Sequence, residues 1–472
     1  MRKFSRLKAQ LGILGLLALL VLGLSFSASL PVYAQAVGPT PTPNDPIWRA
    51  FSTVRDAIEE DRSVDLTIVK AYEWEQSEWK AGIDDCTAIV TEDPAAARKV
   101  YFGWTFTITS LRGEVFQGRV SFDLKAVTVC DQVVTAAVPA PAGTADPNLP
   151  TPIPGGAVAG GFELGGQALD MNLNTFGLMA RSGMKWVKQQ VRYNLGDDPS
   201  KAQGQINTAH ANGYKVLLSV LGAPDQLASS FDSYVASFAG FVGGVAGLGA
   251  DAIEVWNEPN IDREWPAGQI NGGSYTKMLA AAYNAIKSKN PNSIVVSAAP
   301  APTGFFGAAG CTANGCNDDT FMSQMAQAGA AQYMDCIGLH YNEGILAPSA
   351  SSGDPRGSYP TYYFGSMLSR GYSPFGGKPV CFTELGYLSP DGYSTPLPAN
   401  FAWGQNTSSA EQASWLAEAA TLAAQSGRVR IMIVFNIDYA FYTANDPQGG
   451  YAIFRPGGTC PACDTLGAVM RQ

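Results

Sequence analysis

From Gly160 onward, short apolar runs alternate with Ala-rich helical stretches. Eight runs read as strands: GGFELGGQ, KWVKQQVRY, YKVLLSVLG, AIEVWNEP, SIVVSAAP, CIGLHYNE, PVCFTELGY and RIMIVFNIDY. Segments such as QLASSFDSYVASFAGFVGGVAG and YTKMLAAAYNAIKSKN read as helices between them, the second stopped at Asn290-Pro291. Strands that are apolar almost throughout, separated by helices, predict a parallel sheet buried on both faces. Eight of them predict a (β/α)8 TIM barrel. A doubly wound open sheet is the other candidate. It would want a Gly-rich phosphate loop after its first strand, and GFELGGQ contains no GxGxxG, so dinucleotide binding has little support.

Upstream the pattern differs. IWRAFSTVRDAIEED reads as a helix, and SVDLTIVKAYEWEQ, KVYFGWTFTITSL and VFQGRVSFDLKAVTVC read as strands. The fold class is therefore α/β, a barrel preceded by a small α+β accessory domain. Two Pro-rich stretches, VGPTPTPNDP and VPAPAGTADPNLPTPIPGG, read as linkers. The predicted units are a signal peptide over 1–36, a linker over 37–46, the accessory domain over 47–137, a linker over 138–158 and the barrel over 159–472. Trp74, Trp79, Tyr101 and Trp104 in the accessory domain offer a sugar-binding face, but such residues are more often strand formers packing a small core.

The N-terminus sets the compartment. Arg2, Lys3, Arg6 and Lys8 precede a long uncharged apolar run, followed by small residues spaced for cleavage after Ala34 or Ala36. This reads as a secretory signal, with an uncleaved membrane anchor as the rival. The expected location is extracellular or at the cell surface, with no stable membrane insertion once the signal is removed. Eight cysteines suit that compartment. Cys86 is expected to pair with Cys130, Cys311 with Cys316, and Cys460 locally with Cys463. Cys336 and Cys381 sit on the sixth and seventh strands and are expected close, as a pair or as buried thiols. A net charge of −9 disfavours nucleic acid and anionic membrane as partners. The chain is expected to act as a monomer. Two histidines rule out a multi-His metal site, so no metal or cofactor is expected.

In a barrel of this kind, working residues lie at the C-terminal ends of the strands. Glu258 ends the fourth and Glu384 the seventh, so two carboxylates converge on one axis. Hydrolysis of a glycosidic bond needs such a pair: a protonated acid for the leaving oxygen and an ionised nucleophile. A retaining mechanism asks for roughly 5–5.5 Å between them.

With EVWNEPN followed by REWP, and FTELGY later, the stretch from Gly160 to about Tyr451 resembles the superfamily of retaining (β/α)8 glycoside hydrolases with acids on strands four and seven. It is similar to the cellulase-like families and to the β-xylosidase-like family 39. The resemblance implies that Glu258 is the acid/base, that Asn257 holds the sugar 2-hydroxyl and that Glu384 is the nucleophile. It also implies a cation on strand two beside the nucleophile, and either Lys188 or Arg192 fits, since both lie on one face by period two. His340 and Tyr341, ending strand six, are candidates to touch the nucleophile or the sugar. Trp265 is a candidate stacking platform or a helix-packing residue. Strand eight departs from the family, with Phe435, Asn436 and Asp438 where many relatives carry Trp; Asn436 is the candidate contact there. The expected activity is a secreted β-glycoside hydrolase cleaving O-glycosyl bonds of a polysaccharide or oligosaccharide. The rivals are a non-catalytic carbohydrate-binding barrel and a matrix binder led by the accessory domain.

Overall fold

The computed structural model describes residues 46–79, 86, 101–121, 124–131, 149–155, 161–304, 306, 310–443 and 445–471. The expected signal peptide and most of both linkers lie outside the described residues.

The N-terminal unit packs helix α1 (Pro46–Arg62) on an antiparallel meander of β1 (Val69–Trp79), β2 (Tyr101–Ser110), β3 (Val115–Ser121) and β4 (Val127–Cys130), in the order β1-β2-β3-β4. Pro46 occupies the first helical turn, where its missing N–H costs nothing. Ala50, Phe51, Val54 and Ile58 form one face of α1 and meet Trp104, Phe106 and Ile108, which alternate along β2. Trp104 is therefore core, and Trp74 packs against that core half-buried. The side chains of Trp79 and Tyr101 lie outside the described residues. A disulfide joins Cys86 to Cys130.

The larger unit is an eight-stranded parallel barrel. In chain order it runs β5 (Glu163–Gln167), α2 (Leu173–Arg181), β6 (Trp186–Arg192), α3 (Gln203–Ala211), β7 (Lys215–Leu221), α4 (Pro224–Ser229), α5 (Phe231–Gly247) and β8 (Ala252–Val255). It continues α6 (Gly272–Lys289), β9 (Ile294–Ser297), a short hairpin β10 (Cys311–Thr312) and β11 (Gly315–Cys316), and α7 (Asp318–Gln327). The last part is β12 (Ile337–Tyr341), α8 (Phe364–Tyr372), β13 (Val380–Leu385), α9 (Ser409–Ser426), β14 (Val429–Val434) and α10 (Pro461–Met470). The sheet order is β12-β13-β14-β5-β6-β7-β8-β9, and a parallel bridge between Val296 and Cys336 closes the ring. Closure needs Gly338: a Cβ there would lie 2.1 Å from the Ser297 carbonyl oxygen. All eight expected strands are present. The long expected helix before strand four is two helices, broken at a non-helical Ser230.

The barrel interior is layered. At the lower end Glu163 takes Lys215 at 2.7 Å and Arg430 at 2.8 Å. Above it lies an apolar layer that includes Trp186, Leu217, Ala252, Val296, Cys336, Cys381 and Ile431. Two residues further along the same faces the chain turns polar: Lys188, Ser219, Glu254 and Thr383, all fully buried. Burying an ammonium and a carboxylate is a poor route to stability, so this layer is a candidate functional feature. Three further disulfides staple the unit: Cys311–Cys316, Cys460–Cys463 and Cys336–Cys381. The last resolves the open alternative for that pair, because it ties the start of β12 to the neighbouring β13. The end of the second linker docks on α6, where Asn284 donates to the Thr151 carbonyl and accepts from Ile153 N–H. No helix among the described residues is long and apolar enough to cross a membrane.

Candidate active site

Strand β8 ends at Val255, and the chain then breaks from extended geometry. Trp256 has φ +78° and Glu258 has φ +43°, both in the left-handed region that bulky residues avoid. Such strain persists only where the surroundings over-determine it. Here Trp256 Nε1 donates to the Glu264 carbonyl at 2.8 Å, and Glu258 N–H donates to the Ala299 carbonyl at 3.0 Å. The Asn260 side chain fixes the following turn by donating to the Ala301 and Cys316 carbonyls and accepting from Ala301 N–H. The effect is to aim the Glu258 carboxyl into the barrel mouth.

There it meets His340, which points inward from β12. His340 Nδ1 lies 3.1 Å from Glu258 Oε1 and 3.9 Å from Glu384 Oε2. Those two distances bound the separation of the carboxylate oxygens at about 7 Å, below most of the range that inversion uses and compatible with retention. Register explains the meeting, since His340 and Glu384 are direct partners across β12 and β13. Glu384 accepts from Lys188 Nζ at 3.2 Å and from Asn342 Nδ2 at 3.2 Å. Glu258 Oε2 accepts from the Arg263 guanidinium. Burial pushes the Glu258 carboxyl up, but His340 and Arg263 outweigh it and hold the group below its ordinary value. Burial pushes the His340 imidazole down, yet Glu384 and Glu258 together raise it. Two buried amide oxygens, Asn257 Oδ1 and Asn342 Oδ1, have no partner among the described residues and border the two acids.

The remaining expected residues divide. Of the two candidate cations, Lys188 lies beside Glu384, while Arg192 is exposed at the mouth. Both are on one face of β6, but four residues separate them by about 13 Å along the strand. Tyr341 is turned away from the mouth, as alternation against His340 requires. It is buried, donates to the Tyr362 carbonyl at 3.1 Å and packs edge-on against Phe364 and Tyr387. Trp265 is buried too, packed on Trp256, Tyr275 and Phe231, with Nε1 donating to the Gln269 carbonyl. It is a core residue and not a sugar platform. Asn436 has both ends of its amide in use, donating to the Gln448 carbonyl and accepting from Tyr439 N–H. It holds the strand-eight loop and is fully buried. Half-buried Phe435, packed edge-on against Tyr439 and Tyr451, stands at that strand end. Sequence reasoning missed Arg263 and Asn342, although both sit within the motifs REWP and GLHYN.

No family model matches the sequence, and no curated protein does. Solved structures do. An endo-1,4-β-mannanase from Rhizomucor miehei is 14% identical over 67% of this chain and 98% of its own, with a TM-score of 0.44. A glucosidase from Croceicoccus marinus is 13% identical over 67% of this chain and 69% of its own, with a TM-score of 0.43. A Bacteroides ovatus GH5 xyloglucanase is 10% identical over 84% of this chain and 94% of its own, with a TM-score of 0.42. At this distance the assignment of function rests on the chain's own residues.

Proposed function

We propose that this chain is an exported retaining β-glycoside hydrolase. The observation that carries the reading is the pair of buried carboxyls, Glu258 and Glu384, brought together over one histidine at the C-terminal end of a parallel barrel. In the first step Glu384 attacks the anomeric carbon while Glu258 gives its proton to the leaving oxygen. In the second, Glu258 takes a proton from water, the water oxygen bonds to that carbon, and Glu384 leaves as a carboxylate. Asn257 Oδ1 and Asn342 Oδ1 are placed to accept sugar hydroxyl protons. The substrate is a polysaccharide or oligosaccharide, the accessory unit sits upstream as a separate domain, and the chain acts as a monomer.

One observation favours a non-catalytic sugar-binding barrel. Arg263 is seated on Glu258 and helps keep it ionised, whereas a general acid must carry a proton. The Arg263 side chain is 68% exposed, however, so an arriving leaving group can displace it into solvent. That displacement removes one of the charges favouring ionised Glu258.

The test is a panel of aryl β-glycosides, with the first-formed sugar followed by NMR. The β anomer is the expected product. The α anomer as first product would overturn retention, and no hydrolysis across the panel would favour the binding reading.

A further inference from the structure

Lys188 is fully enclosed at this site, and its surroundings are unusual. Its side chain and that of Glu254 are both 0% exposed. The ammonium has three N–H bonds and three acceptors around it. It donates to the Thr383 carbonyl at 3.0 Å and to Glu384 Oε1 at 3.2 Å. The third group is Glu254 Oε2 at 3.4 Å, an ion pair without hydrogen-bond geometry. Neither oxygen of Glu254 has a hydrogen-bond partner among the described residues. One cation is thus shared by two carboxylates, bonded to the nucleophile and only close to the other.

Glu254 lies on β8, four residues before Glu258, and points into the barrel beneath the site. It touches neither the mouth nor any group that reacts, so the double displacement leaves it without a role. Its presence is costly unless Lys188 needs it.

We propose that Glu254 is a positioning residue that takes over the Lys188 ammonium while Glu384 is covalently occupied. The inference rests on the glycosidase reading for its chemistry. In the first step a Glu384 oxygen bonds to the anomeric carbon, and the bond to the leaving oxygen breaks with its electron pair. The leaving oxygen takes the proton of Glu258. Glu384 is then an ester with no net charge. Without Glu254 the ammonium would be buried and unpaired, a state that costs far more than an unpaired surface charge. With Glu254 it swings from a hydrogen bond on Glu384 to one on Glu254, and the layer stays neutral. In the second step the carbon–oxygen bond breaks, Glu384 recovers its charge, and the ammonium returns.

Two measurements test this, and the first needs no substrate. Glu384→Gln neutralises the nucleophile as the ester does. Urea unfolding midpoints are compared for the full-length wild type, Glu384→Gln, Glu254→Gln and the double variant. The double variant is expected to lose more than the sum of the two single losses, because only it strands the ammonium. Additive losses would overturn the proposal. The second measurement is pre-steady-state release of a good phenol leaving group. Glu254→Gln is expected to lower kcat/KM on the order of 100-fold and to abolish the burst, since only formation of the ester is slowed. A burst of wild-type size, with kcat and kcat/KM reduced equally, would show a merely structural residue and would also overturn it. If the wild type itself hydrolyses no glycoside, the function fails, and the unfolding cycle alone decides for or against the handover.

Discussion

At the scale of single residues, Glu258 is governed by two neighbours. His340 and Arg263 both stabilise its ionised form, so removing either raises its proton affinity. A general acid with greater proton affinity stays protonated to higher pH. Arg263→Gln is therefore expected to move the basic limb of the kcat/KM–pH profile upward, with the protein still folded because the guanidinium is exposed. An unchanged or downward limb would remove Arg263 from the account. Trp265 gives the opposite kind of prediction. Buried among three aromatic rings, it should cost about 3–5 kcal/mol as Trp265→Ala, read from urea unfolding. The folded fraction should keep an unchanged KM, whereas a stacking platform would lose KM with little loss of stability. The two acids were legible in the sequence because motif and strand number both placed them. Lys188 and Arg192 were not separable, because period two gives a face and not a depth. Tyr341 was misjudged although alternation against His340 already turned it outward. Arg263 and Asn342 act through the path of a loop, which no periodicity encodes.

At the scale of elements, the eight strands followed from their apolar runs, and the layering inside them follows from the side-chain alternation. Trp186 to Lys188, Leu217 to Ser219 and Ala252 to Glu254 each step two residues from apolar to polar along one face of the strand. The stretch from Gln226 to Gly247 reads as one helix, yet it breaks at Ser230, whose backbone leaves the helical region. The Cys336–Cys381 bond spans 45 residues of chain and joins the strands that carry His340 and Glu384. Replacing both cysteines by alanine should lower stability by about 2–5 kcal/mol in urea unfolding. A loss near zero would mean that the pair does not constrain the unfolded chain.

At the scale of the whole molecule, the helix-on-sheet unit and the barrel have separate hydrophobic cores. Calorimetry of the full chain is expected to show two unfolding transitions, and replacing Cys86 and Cys130 by alanine, with the other disulfides intact, should lower only one of them. A single transition moving as one would join the two units into one cooperative body. The larger claim concerns the mouth of the barrel, where two carboxyls have separate tasks. Azide separates them, using an activated aryl β-glycoside. In Glu258→Ala the covalent step survives with a good leaving group, and azide then attacks the intermediate, so the product is the β-glycosyl azide. In Glu384→Ala no intermediate forms, and azide attacks the intact glycoside from the vacated side to give the α-glycosyl azide. NMR of the anomeric proton reads both results. Exchanged configurations would reverse the two roles, and near-wild-type hydrolysis by both variants would contradict a catalytic site at Glu258 and Glu384.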